Sequence, residues 1–254
     1  MAEYDATLAG FAALDEAALS RPWTWRDGKM SARFALYRTL EDAQEVVVRV
    51  GAASHPESRR ILALAQRAFG DFRGLLAGVP DALLDTAPAE GEWTLRETIH
   101  HVLVIERRYA LQTRYAVERT DADPVRIPDD RLPPPASLPS TGDGAALLAR
   151  LAAARAESAR SLDDVPPAAL SRPTRWMHYA IDVRFRLHRF AAHIAEHAVQ
   201  CEKTLAALGW QPTEGRRIVR LVAAAIGEIE GLGAVAEARE LEARLAQRLA
   251  SLEG

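Results

Sequence analysis

Two imidazoles four residues apart carry the strongest chemical signal in this chain. Apolar residues recur at helical spacing from Ala180 to Leu208, and at 100° per residue Arg186, Phe190, His193, His197, Gln200, Cys201, Thr204 and Leu208 share one stripe about 100° wide. Phe190, Cys201 and Leu208 mark that stripe as inward-facing. His193 and His197 then stack one turn apart, so their ring nitrogens can converge on a single cation at ~2.0 to 2.1 Å. A third ligand must come from another helix. The helix expected over residues 94–119 offers His100 and His101, and helical phase does not choose between them, because the apolar stripe of Leu95, Ile99, Val102 and Tyr109 lies about 120° or more from either. His188 sits about 180° around its helix from His197 and reads as a packing residue.

Plainer readings of the same residues stand beside this one. An inward histidine pair can be two core imidazoles satisfied by carbonyls or carboxylates. His193-Ile194-Ala195-Glu196-His197 also spells His-x-x-Glu-His, the inverted zinc-protease motif. That reading is rejected, since such enzymes need a strand-containing fold and a distant downstream acid, and only 57 residues follow His197. Cys201, one turn beyond His197, reads as a small buried core residue rather than a nucleophile or fourth ligand. Thr94 and Glu97 form a capping-box pattern that fixes the start of the helix carrying His100 and His101.

The positioning elements are all helices. Ala, Leu, Arg and Glu dominate, and the apolar period predicts helices over 3–18, 30–52, 57–78, 94–119, 144–163, 180–208, 214–230 and 234–252, an all-α fold. Short links such as 51–56 imply antiparallel neighbours and hence bundles. The exception is residues 120–144, where six prolines exclude a helix or a central strand, leaving a binding loop or a passive crossover. At 254 residues and 48% hydrophobic the chain can bury a large core. A net charge of −3 provides no footprint for nucleic acid. No uncharged apolar run approaches the ~18 residues of a membrane span. The opening residues lack signal-peptide features and a single cysteine fits a reducing compartment, so a cytoplasmic protein is expected.

The chain also matches itself. Residues 17–38 over 168–189 give 11 identities in 22 positions, among them Ala-Ala-Leu-Ser-Arg-Pro and the pair Trp25 and Trp176, and 59–75 over 216–232 give 8 in 17. Shared composition does not explain a matched tryptophan and proline. The pattern implies a tandem duplication: a complete bundle over 57–210, flanked by terminal helices, 1–52 plus 211–254, that form a second, pseudo-symmetric layer or bundle. At the duplicated positions His193 faces Asp42 and His197 faces Val46, so that layer is expected to be metal-free.

One resemblance is specific. Glu92-Trp93-Thr94-Leu95-Arg96-Glu97-Thr98-Ile99-His100-His101-Val102, followed by Glu106, resembles the opening of the DinB-like (YfiT-like) four-helix-bundle superfamily. His193-x3-His197-x2-Gln200, with Leu208-Gly209-Trp210 after it, is similar to that family's closing helix. The resemblance covers about 57–210. It implies that the histidine eight positions after the tryptophan, here His101, is the first metal ligand and that His193 and His197 are the others. Three histidines leave a coordination position open, as in catalytic sites, and zinc and nickel both suit imidazole. Glu97, one turn before His101, is expected to accept a ligand ring N–H. Arg186 and Gln200 are assigned to substrate. The family implies a transferase that activates a low-molecular-weight thiol for attack on a small electrophile, and charge and hydropathy give no expectation of a nucleic acid or membrane partner. A homodimer is among the options left open. The rival readings are a non-catalytic metal-binding stress or interaction protein and a metal-assisted hydrolase.

Overall fold

The computed structural model describes residues 2–253, and helix succeeds helix along nearly all of them. The order is α1 (Ala2–Ala13), α2 (Glu16–Leu19), β1 (Pro22–Trp25), β2 (Gly28–Ser31), α3 (Arg33–Gly51), α4 (Glu57–Leu76), α5 (Leu95–Glu118), α6 (Gly144–Leu162), β3 (Pro173–Trp176), β4 (Tyr179–Asp182), α7 (Val183–Ala207), α8 (Glu214–Gly231) and α9 (Val235–Glu253). The fold is all-α with two small antiparallel hairpins. No helix among the described residues is long and apolar enough to cross a membrane.

Both hairpins correct the predicted helix starts at 30 and 180. β1 pairs with β2 and β3 with β4, each closing on a two-residue turn, between Trp25 and Gly28 and between Trp176 and Tyr179. The first turn residues, Arg26 and Met177, adopt left-handed φ values of 54° and 53°. Such turns are usually marked by Asn-Gly or Asp-Gly at the two central positions; in the first hairpin Asp27-Gly28 falls one position late, with Gly28 opening β2, and Met177-His178 carries no such mark. The predicted 3–18 helix is also broken: Asp15 accepts a hydrogen bond from Ala18 N at 2.7 Å and starts α2 as a separate turn.

Packing sorts the long helices into two groups. Helices α4, α5, α6 and α7 enclose two apolar clusters, one including Phe72, Leu95, Ile99, Leu147, Leu151 and Cys201 and the other including Leu62, Tyr109, Leu162 and Phe190. Helices α1, α3, α8 and α9 enclose another around Leu8, Phe11, Leu36, Val222, Ile226 and Leu245. The groups meet at α4 and α8. A Cβ on Gly70 would overlap the Ala223 carbonyl, one on Gly227 would lie 2.6 Å from the Gln66 carbonyl oxygen, one on Gly74 would lie 2.8 Å from Arg220 Cα, and one on Gly231 2.5 Å from Ala63 Cα. Only glycine lets two helix backbones approach this closely.

Contacts recur in matching pairs across that crossing. Arg33 at the start of α3 pairs with Glu214 of α8 at 2.8 Å, and Arg184 at the start of α7 pairs with Glu57 of α4 at 2.6 Å. The Arg38 guanidinium lies 5.3 Å from the Trp25 ring centre and that of Arg189 lies 4.7 Å from Trp176.

The proline-rich stretch carries only short 3-10 turns at Asp129–Arg131 and Pro135–Ser137. It is strapped to α5 by its carbonyls. Arg96 donates to Ser140 O at 2.9 Å, His100 Nε2 lies 3.0 Å from Leu138 O, Arg108 donates to Pro133 O at 3.1 Å, and the Tyr115 hydroxyl to Pro124 O at 2.8 Å. Side chains at these spacings share a broad face of α5.

Candidate metal centre

α5 and α7 lie side by side, and each has a fixed start. Thr94 Oγ1 accepts from Glu97 N at 3.1 Å while Glu97 Oε2 accepts from Thr94 N at 2.8 Å, closing the capping box. Asp182 caps α7 by accepting from Phe185 N at 2.8 Å. These caps set the axial position of His101 on one helix and of His193 and His197 on the other.

The three rings meet. His193 Nε2 lies 3.3 Å from His101 Nε2 and 3.1 Å from His197 Nε2, and one ligand atom from each ring falls within 4.8 Å of the others. Two ligands at ~2.05 Å on a tetrahedral cation stand ~3.3 Å apart, so both measured separations fit a shared ion. His193 and His197 are buried, and His101 is half-buried. Position separates the two histidines that helical phase left together: His100 Nε2 lies at Leu138 O in the strap, and His101 faces α7 with its Nε2 beside that of His193.

Burial also prepares the rings electrostatically. Desolvation, then the neighbouring His197 and His101, push His193 down to about 3. Desolvation, followed by His197, lowers His101 as well. Neutral imidazoles with bare lone pairs are what a cation requires. His197 Nδ1 lies 2.7 Å from Gln200 Oε1. With that oxygen accepting, the Nδ1 proton is fixed and Nε2 is left free to ligate. Gln200, assigned to substrate from the sequence, thus has a histidine as its partner. Glu97, expected as that outer acceptor, uses Oε2 in the capping box, and among the described residues no hydrogen bond joins it to His101.

Aromatic walls complete the site. Trp93, 41% exposed, stacks on His197 at 6.5 Å with an 11° interplanar angle and tilts against His101 at 5.0 Å. Tyr109 meets His193 edge-on at 5.5 Å and Phe190 at 5.7 Å. Sequence reasoning used Trp93 only as the motif residue from which His101 is counted and placed Tyr109 only in an apolar stripe, although both are amphipathic rings near the ligand positions. Cys201 lies in the apolar interior with its thiol pushed up to about 12 by burial, which makes it inert.

Arg186 occupies the same stripe two turns before His193. It is buried, with Nη1 donating to Gln112 Oε1 at 2.7 Å, Nη2 to the Arg175 carbonyl and Nε directed at Thr174 Oγ1 at 3.4 Å. Every partner is neutral, and burial pulls its pKa down to about 10.

The sequence model of the DinB superfamily matches residues 64–201, more than half of the chain. The chain belongs to the DinB superfamily. The match begins within α4 and ends within α7, so it covers the helix group that carries the three histidines. No curated protein matches the chain. Membership in the DinB superfamily and the three-histidine cluster together fit a metal-binding protein of this fold.

Proposed function

We propose that this DinB-superfamily protein is a metal-dependent enzyme in which His101, His193 and His197 hold one divalent transition cation, zinc or nickel, and that it transfers a low-molecular-weight thiol to a small electrophile. The convergence of three Nε2 atoms from two helices carries the reading. A cation there would act as a Lewis acid, lowering the pKa of a thiol or water that it binds. Three protein ligands are the number found in catalytic rather than closed structural sites.

The chain's own residues have separable tasks in this scheme. Gln200 holds the proton of His197 on Nδ1. Trp93 and Tyr109 flank the rings and limit water around them. Arg186, buried with only neutral partners, is the cation available for a carboxylate of thiol or substrate. No protein nucleophile is required, since Cys201 is buried in the core as an undissociated thiol. The single cysteine, kept reduced, is the support for a cytoplasmic setting.

The test pairs metal analysis of untagged protein with turnover of a panel of electrophiles and cellular thiols. Wild type and Cys201→Ala should contain one metal and turn over, whereas His193→Ala should do neither. Thiol-independent hydrolysis would move the assignment to a hydrolase. Full metal content without turnover by any thiol would leave a metal-binding protein.

A further inference from the structure

A recess of about 460 Å³ opens between β1 and α9, and it shares no residue with the histidine cluster. The volume is within the range of small-molecule sites, ~300 to 1,000 Å³. Trp23 and Thr24 line it from the strand, and Arg244, Gln247, Arg248 and Ser251 line it from one stripe of the helix. Two of these residues are cations, and among the described residues no carboxylate lines the recess. Trp23 Nε1 donates to Ser251 Oγ at 3.2 Å and that hydroxyl donates to Arg248 O at 2.7 Å, which ties strand to helix.

The other half of the chain shows that packing alone does not call for these charges. Continuing the match of 17–38 over 168–189 pairs Thr39 with Phe190 and Asp42 with His193. Tyr109 of α5 packs on Phe190 and His193, whereas Arg248 of α9 bonds Thr39 and Asp42. One scaffold thus holds a ring in one unit and a guanidinium in the other. The cations also outnumber their partner. Asp42, reaching from α3, accepts through the single atom Oδ2 from Arg248 Nη2 at 2.8 Å and from Arg244 Nη1 at 3.0 Å. Burial pulls the Arg248 pKa down, and Arg244 and Arg38 add to that pull while Asp42 opposes it. Arg244 is 47% exposed, and its Nε and Nη2 bond nothing among the described residues. Those two nitrogens form the edge of the guanidinium that grips an oxyanion through two parallel hydrogen bonds.

We propose that this recess is an anion site, which takes the phosphoryl group of a small phosphate monoester on Nε and Nη2 of Arg244 beside the charge of Arg248. A monoester carries about −1.5 to −2 at neutral pH and three acceptor oxygens, so it answers two guanidiniums better than a carboxylate does. The exposed Thr24 and Gln247 side chains, which bond nothing among the described residues, supply further donors at the rim. Asp42 holds both arginines in place whether or not the anion is bound. The site stands independently of any metal at the histidines.

Isothermal titration of full-length protein freed of metal, so that no cation at the histidines captures phosphate, tests it with phenyl phosphate against benzoate and neutral phenol. Phenyl phosphate should bind one per chain, with benzoate and phenol each at least tenfold weaker. Arg244→Gln removes the open guanidinium edge at an exposed position and should weaken phenyl phosphate at least tenfold. Gln247→Glu leaves both arginines in place but puts a carboxylate in the recess, and should do the same, which decides the matter if Arg244→Gln does not fold. His197→Ala should bind phenyl phosphate like wild type. No binding of phenyl phosphate, equal binding of benzoate or phenol, undiminished binding by either folded variant, or loss in His197→Ala would overturn the site.

Discussion

At the residue scale the candidate centre depends on rings kept neutral and aimed, and each property has its own test. Gln200 Oε1 holds the Nδ1 proton of His197, and loss of such outer partners weakens metal binding ~10 to 100-fold in other sites. Gln200→Leu should therefore raise the dissociation constant for zinc by that order while the melting temperature of the metal-free protein stays nearly constant. Unchanged affinity in a competition titration would remove Gln200 from the site. Neutrality is tested by pH. His193 titrates at about 3 when folded, against ~6.5 in an unfolded chain, and His101 is shifted the same way. Between those values the unfolded chain binds a proton that the folded one refuses, so stability falls as pH drops from ~6.5 toward 3. Melting curves of metal-free protein should show that fall, and His193→Ala should flatten it. Equal slopes for the two proteins would refute the assignment of the pH dependence to this ring.

At the element scale, legibility followed the strength of the local signal. Helices with a cap and an amphipathic period were readable to within a residue or two, as with 94–119 against Leu95–Glu118 and 214–230 against Glu214–Gly231. The hairpins were hidden because their strands are four residues long and neither turn has glycine at its two central positions. The His101 side of the site was legible only through the tryptophan spacing, because what separates it from His100 is the strap that captures the neighbour, a tertiary fact. The glycines of α4 and α8 were visible as matched letters, but their reason is the contact between helices. Glycine inside a helix costs ~1 kcal/mol relative to alanine, so Gly→Ala should stabilise wherever a Cβ has room. At Gly51 nothing lies within 4 Å, and Gly51→Ala should be neutral or stabilising by up to ~1 kcal/mol. At Gly70 the added carbon meets the Ala223 backbone, and Gly70→Ala should destabilise by ~1 to 3 kcal/mol despite the better propensity. Denaturant titrations showing the same sign at both positions would contradict the proposed role of the close crossing.

At the scale of the whole molecule, we propose that the chain is two DinB-like units fused, with the second unit's helices divided between the termini. The paired contacts support this: Gly70 on Ala223 mirrors Gly227 on Gln66, and Arg33 with Glu214 mirrors Arg184 with Glu57. A face that meets its own equivalent is how two-fold dimers associate, and here that face is buried within one chain. We therefore expect a particle of 27.8 kDa by light scattering, and twice that mass would require a further self-complementary surface. The second unit should be silent toward metal. Where the first places His193 and His197, it places Asp42 and Val46, and Asp42 is already engaged by Arg248 at 2.8 Å and by Arg244 at 3.0 Å. Arg248 also donates to Thr39 Oγ1 at 2.5 Å, so a guanidinium anchored at two points supplies the positive charge there, and Val46 offers no ligand atom. An added divalent cation would have to displace that charge and bind through a single carboxylate, so saturation should occur at one metal per chain despite two bundles. Titration of metal-free protein should give a stoichiometry of one, falling to zero in His197→Ala and remaining one in Asp42→Asn. A stoichiometry of two, reduced to one by Asp42→Asn, would show that the terminal helices hold a site of their own.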